Sequence, residues 1–326
     1  MLRLTARSAL AVMLPLLSLP VFSQSYPSKQ ISIIAVLVPG SGLDIIARSY
    51  GAKLSQTLGR PVIVENKPGG SQIVGVSALM AAPADGHTLL VATSAAMAIN
   101  QTMFKTLPYN PFKDMVPISL YLKSPFILVI NPQIPAKTAL EFIQYVKERP
   151  GKLSFSSPGA AGLPRLAMEI MNARFGLDAL NIPYKDTAQS IADIASGTVQ
   201  MAFAEAGASQ ALIKDGRIRA LAVSSQTRLS SLPDVAPLAE AANAPDFEAV
   251  SWHVLLTRAG TPQPIVSRLH NEMKRIIAEP EIQDRMKGIG LIPVESPSVE
   301  GIQKYMADEE AKWGAVVRKL GMAGSQ

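Results

Sequence analysis

Within residues 31–96, three apolar runs of strand length each end in a turn of small residues, and helical spacing follows the first two. The first, 31–38 (ISIIAVLV), is stopped by Pro39-Gly40-Ser41-Gly42. Residues 43–58 then carry apolar side chains at Ile45, Ile46, Tyr50 and Leu54, the spacing of one helix face, and Gly59 closes the segment. The run 61–65 (PVIVE) predicts a second strand, ended by Asn66-Lys67-Pro68-Gly69-Gly70, with a helix over 73–82. Asp85-Gly86 turns the chain into a third strand, 87–93 (HTLLVAT), which runs into Thr93-Ser94-Ala95-Ala96. Strands and helices alternating across such short turns point to an α/β fold, with a parallel sheet covered on both faces.

The pattern then repeats with different residues. A strand is expected over 126–131 (FILVIN). Thr138 and Glu141 have capping-box spacing ahead of a helix over 139–148. A strand over 153–157 is cut by Pro158-Gly159, and 163–175 reads as the helix after it. Segments 191–195, 199–203, 211–214 and 218–224 continue the alternation. An extended apolar segment returns at 248–257, and helical segments at 265–278, 281–287 and 298–320 finish the chain. Two α/β units with a late helical return predict two lobes, each a mainly parallel sheet flanked by helices. The expected division is 24–124 plus 256–326 for one lobe and 125–255 for the other, with crossings near 118–130 and 248–257. In such architectures ligands sit between the lobes, where strand C-termini meet helix N-termini.

The first residues read as an export leader. Arg3 and Arg7 precede the apolar run 9–19, then come Pro20 and the small Ser23, so cleavage is expected between Ser23 and Gln24. That run is too short to cross a bilayer, which needs roughly 20 apolar residues. The expected location is the periplasm, with the mature chain soluble and monomeric. Nearly half the chain is apolar (48%) and 17% is charged, enough to bury a core for each lobe. The net charge of +6 is spread without blocks, which argues against nucleic acid as a partner. The absence of cysteine excludes disulfides, thiolate metal sites and cysteine nucleophiles.

The loop Pro39-Gly40-Ser41-Gly42-Leu43-Asp44 lies between a strand and a helix. Its glycines let backbone N–H groups approach a ligand, and the helix N-terminus behind them favours an anion. It is not a dinucleotide fingerprint, because Ile45 stands where the third glycine would be, and no Gly-Lys-Ser/Thr follows. Taken singly, it also reads as an ordinary strand–helix turn capped by Asp44. Further small-residue loops follow at Gly69, at Ser94 and Ala95, and at Ser157, Gly159 and Gly162, and a doubly wound sheet places such loops on one edge. Arg165 is the candidate cation for a carboxylate, against a solvated helix arginine. Glu205 is a candidate for a ligand hydroxyl or cation, against a solvated loop acid. Catalysis has little support: no Gly-x-Ser-x-Gly elbow exists, and His87, His253 and His270 are dispersed, so neither a catalytic group nor a metal site is expected.

In order, the strings YPSKQISIIAVLVPGSGLDIIAR, VIVENKPGGSQIVG, PADGHTLLVATSAAMAIN, LPYNPFKD, NIPYKDTAQSIADIASGTVQMAF, IRALAVSSQTRLSSLPDV and RAGTP resemble the Bug family, the periplasmic solute receptors of tripartite tricarboxylate transporters. The likeness runs from Tyr26 to the C-terminal helices. It implies a Venus-flytrap protein without cofactor that closes on a small organic acid and hands it to membrane permease subunits. It also implies a carboxylate held by backbone amides and waters of the first two glycine loops, with contacts from the 157–165 loop, Tyr184 and the residues after Phe203. Departures from the family pattern are Leu43 for a common threonine, Met97 for a frequent histidine, and Ala204 where amino-acid binders carry an aspartate. These favour a di-acid or aromatic acid over an amino acid. The rival readings are a sensor subunit for a signalling partner and, less supported, a periplasmic hydrolase.

Overall fold

A computed structural model describes residues 26–159, 161–184 and 187–326; the expected leader and its cleavage site lie outside the described residues. β1 (Ile31–Ala35), α1 (Gly42–Leu58), β2 (Val62–Asn66), α2 (Ile73–Met80) and β3 (Thr88–Thr93) follow the predicted alternation. After β3 a wide helical turn at Ala95–Ile99 leads into the short α3 (Asn100–Met103) and then β4 (Met115–Ile130). The second unit comprises α4 (Ala139–Lys147), β5 (Ser154–Pro158), α5 (Leu163–Phe175), β6 (Leu180–Tyr184), α6 (Thr187–Ser196), β7 (Met201–Glu205), α7 (Ala206–Lys214), β8 (Arg219–Val223) and α8 (Leu238–Ala241). The chain returns through β9 (Val250–Arg258) to α9 (Gln263–Ile277), α10 (Pro280–Gly288), β10 (Ile292–Pro293) and α11 (Val299–Lys319).

Local chemistry sets several of these boundaries. Ser41 caps α1 by accepting the Asp44 N–H, and Gly59, at φ 67°, ends it in the left-handed conformation that glycine adopts without strain. The Thr138–Glu141 capping box forms in full at the start of α4. Pro164 supplies the favoured ring in the first turn of α5, and Gly176 closes that helix.

The result is a two-lobed α/β fold in which β4 belongs to both sheets. β1 pairs in parallel with β2 and β3, and β5 in parallel with β6 and β7. The crossing strands enter antiparallel, so the sheet is mixed: residues 115–125 of β4 pair with β9, and 126–130 pair with β7 and β8. All of β9 lies in the first sheet, between β3 and β4. Leu128 and Ile130 of β4 enter a core that also holds Ile34 and Leu90 of the first sheet and Phe155 of the second. Ile127 and Val129 turn the other way, onto Ile191 and Ile194 of α6. Burial of each such side chain contributes about 1.5–3 kcal/mol, so one strand ties the two lobes together from both faces.

Candidate functional site

Parallel pairing brings the C-terminal ends of β1, β2 and β3 to one edge, and with them the loops at Gly40, Gly69 and Ser94. In the first loop Asp44 is buried and turned inward. Its carboxylate accepts from the Gly40 N–H (2.9 Å), from Arg48 Nε (3.0 Å) and from Asn66 Nδ2 (2.8 Å). Burial pushes that carboxyl up, but the bonds from Arg48, Asn66 and Gly40 outweigh it and hold its pKa below the ordinary value. Asp44 therefore shapes the loop and uses the Gly40 donor itself. Asn66 also donates to Leu37 O (3.1 Å), which links the first loop to the end of β2. The N–H groups of Gly42 and Leu43, in the first turn of the 17-residue α1, have no acceptor among the described residues.

The second loop is a run of positive φ: Gly69 (116°), Gly70 (53°), Ser71 (51°) and Gln72 (77°). Serine and glutamine are strained there by roughly 1–3 kcal/mol each, so neighbouring structure must hold them. The Gln72 side chain donates to Thr93 Oγ1 (2.7 Å) and accepts the Thr93 N–H (3.3 Å). Asn100 donates to Ser71 O (2.9 Å) and reaches Tyr109, which donates to Ala96 O. The Gly70 and Ser71 N–H groups in this loop have no acceptor among the described residues. Ser94 at the end of β3 exchanges a 2.9 Å hydrogen bond with Ser251 of β9, and Ala95 beside it donates to Thr93 Oγ1. Met97 is fully buried in the core and lines no loop. Val38, Ile45 and Val74 stay exposed around these turns, an apolar rim for a polar floor.

In the second lobe the Gly159 N–H donates to Tyr184 O (3.1 Å), joining the ends of β5 and β6. Ser157 bonds Asn181, and the Tyr184 hydroxyl donates to Asp193 (2.6 Å). Burial and Asp193 push the Tyr184 pKa up to about 12, so this phenol is fixed as a donor to α6. Gly162 starts α5 so close to Pro158 that a methyl there would meet Pro158 O at 2.6 Å. Arg165 lies in the first turn of α5, 3.7 Å from Glu169, with 20% of its side chain exposed. Ala204 is buried at the end of β7, and half-buried Glu205 caps the nine-residue α7 through its backbone, not its side chain. The Glu205 carboxyl has no hydrogen-bond or ion-pair partner among the described residues, and withdrawal from water pushes it up to about 7.

The two lobes meet where α1 and α7 begin. A methyl placed at Gly207 would stand 3.8 Å from Gly42 Cα, and the turn at Ile289 and Gly290 packs between the two helix starts. The start of α1, with unspent N–H groups at Gly42 and Leu43, therefore lies against the N-terminus of α7, and the unspent Gly70 and Ser71 N–H groups belong to a loop at the same sheet edge as the start of α1. Helix N-termini and positive-φ turns bind anions through such donors. Two surface grooves of about 410 and 250 Å³ flank β10 and share no residue with these loops. No group of three or more His, Asp or Glu side chains is placed to hold a metal among the described residues. Sequence reasoning found the loops; it missed Gln72, Asn100 and Asn66, whose amides hold them.

Residues 46–322 match the sequence family described as tripartite tricarboxylate transporter family receptor. Protein BugT of Bordetella pertussis is 30% identical, over 93% of this chain and 92% of its own. The solved structure of the periplasmic binding protein BugD superposes with a TM-score of 0.84 at 27% identity, covering 91% of this chain and 99% of that one. An R. palustris protein solved with adipate gives 0.86 at 27% identity, with coverage of 91% and 99%.

Proposed function

This chain belongs to the tripartite tricarboxylate transporter receptor family, and on that premise we propose that it is a periplasmic receptor that captures a small carboxylate and delivers it to membrane permease subunits. The family and fold are those of solute-binding proteins. The observation that carries the reading is the set of unspent N–H groups at Gly42, Leu43, Gly70 and Ser71 on one sheet edge, where the start of α1 meets the start of α7. One ligand carboxylate would lie against them. The adipate-bound relative supports a di-acid with an aliphatic body, and the rim of Val38, Ile45 and Val74 suits that body or an aromatic one. Arg165 is the group we assign to the far acidic end of the ligand.

The lobes we infer are 26–124 with the return chain, and 125 to the start of β9. Their rotation passes through the Ser124–Ser251 register pair. Ligand affinity for the closed arrangement, not a fuel, would drive closure. Among the described residues no helix is long and apolar enough to cross a membrane, and we take the receptor to be a free monomer released by cleavage near Ser23–Gln24.

Thermal melting with a panel of organic acids tests the function, because a ligand at ~100 Kd stabilises by about 2.7 kcal/mol. Stabilisation by carboxylates and not by their amides is expected. Stabilisation only by amino acids or by uncharged solutes overturns the reading. Calorimetry of a di-acid and a mono-acid with R165A tests the assignment of Arg165: a loss confined to the di-acid is expected, and equal affinity of wild type and variant for the di-acid refutes it.

A further inference from the structure

We propose that Glu205 takes up a proton when the cleft loads a carboxylate, so that capture of the anion is coupled to protonation of the receptor. This rests on the carboxylate reading above. Glu205 ends β7 and stands two residues before Gly207, the residue that approaches Gly42 at the start of α1. A ligand anion held by the α1 amides would therefore sit at the lobe junction that Glu205, an acid of the protein itself, borders. Two ionised carboxyls at that point repel each other, whereas a protonated Glu205 donates a hydrogen bond to the anion.

Among the described residues no hydrogen bond or ion pair neutralises Glu205 in another way. The charged and titratable groups on the described elements packed around β7 and α7 are Arg165, Glu169 and Arg174 of α5, Asp193 of α6, Tyr121 and Lys123 of β4, Arg219 of β8, Lys214 of α7 and, beside the turn at Ile289 and Gly290, Lys287 of α10; Arg174 is paired with Asp246. Arg165 lies beside Glu169, Asp193 accepts from Tyr184, Arg219 donates to the backbone carbonyls at Pro132, Ile134 and Ala136, and Lys123 sits over the Tyr305 ring. Across the cleft, Asp44 is committed to Gly40, Arg48 and Asn66. None of these exerts a charge effect on Glu205; burial alone raises its pKa, to about 7. The group thus holds its proton about half the time at neutral pH even before an anion arrives.

The consequence is a receptor that loads better as the pH falls. If only the protonated form accepts the anion, the apparent affinity is the intrinsic one scaled by the protonated fraction, so binding weakens about tenfold from pH 6 to pH 8. At pH 7 each bound anion brings in about half a proton, and at pH 8 close to one.

The test is calorimetric titration of adipate into the mature protein at pH 6, 7 and 8, in pairs of buffers with different ionisation heats. Net proton uptake that grows with pH is expected in wild type. In Glu205→Gln, whose amide donates at every pH, uptake vanishes and the affinity becomes flat with pH. Adipate binding with no proton uptake, with proton release, or with the same pH profile in Glu205→Gln overturns the proposal and leaves the carboxylate reading intact. Failure of adipate, hexanoate and benzoate alike to bind at any of the three pH values overturns both.

Discussion

Trp252 and Trp313 donate their indole N–H groups to the same oxygen of Glu309, each at 2.9 Å. Trp252 lies on β9 beside the lobe crossing and Trp313 on α11; both are essentially inaccessible to water. One carboxylate therefore pins the C-terminal helix to the returning strand. Glu309→Ala leaves two buried donors without an acceptor, at a cost of about 1–3 kcal/mol for each. Urea unfolding followed by far-UV circular dichroism should show a lower midpoint for Glu309→Ala, with Glu309→Gln closer to wild type. An unchanged midpoint in the alanine variant refutes the pinning role.

Gln72 holds the positive-φ loop against Thr93, so Gln72→Ala should let that loop relax to ordinary backbone angles. The expected loss is about tenfold in carboxylate affinity, roughly the 1.4 kcal/mol that separates an aimed from a wandering pair of donors. The thermal midpoint should move little, since the two lost bonds are offset by the released strain. Titration calorimetry beside a melting curve separates the two effects; parallel loss of both would make Gln72 a stability residue.

Gly290 has φ +76°, and a methyl on it would come within 2.3 Å of Ala206 at the start of α7. Gly290→Ala must push α7 away from the first lobe. Small-angle scattering should report a larger radius of gyration for this variant, with weaker carboxylate binding. Unchanged dimensions with unchanged affinity would mean that the turn yields instead of the helix.

Glu205 also sets a pH dependence of the unliganded fold. Its folded pKa, about 7, lies above the ordinary glutamate value of 4.5. Between those values the native state keeps a proton that the unfolded chain has lost, so stability falls as pH rises from 4.5 through 7. Glu205→Gln should remove that decline, gaining about 1–3 kcal/mol over wild type at pH 8 and little at pH 4.5, because the residue is only half-buried. Denaturant titrations at both pH values read the difference, and equal gains at the two would contradict the assignment.

Much of this was legible before any coordinates. The alternation and the capping box at Thr138 mark their elements because a local rule decides each of them. β4 was legible as a strand over 126–130 and as an extended crossing from 118, while Pro117, Ser119, Lys123, Ser124 and Pro125 break its apolar run; the strand carries Pro117 by shifting register beside it. β6 went unread because Asn181 and Pro183 disrupt its pattern, which an edge strand tolerates. The Gly40 and Gly69 loops announce themselves through glycine, yet the left-handed angles of Ser71 and Gln72 come from distant amides. The environment of Glu205 depends on which chain segments surround it, and nothing near it in sequence encodes that.

The position of β9 has a consequence for how the molecule is made. Because β9 lies between β3 and β4, the first sheet has a gap until residue 258 of 326 has joined it. The second sheet needs nothing beyond β8 and can close earlier. Nascent β3 and β4 therefore wait with open edges while the intervening segment collapses, a late, long-range closure of the kind that slows folding. A holdase that shields those edges would act on this chain at the very stage when it is still extended enough to be threaded through a translocation pore.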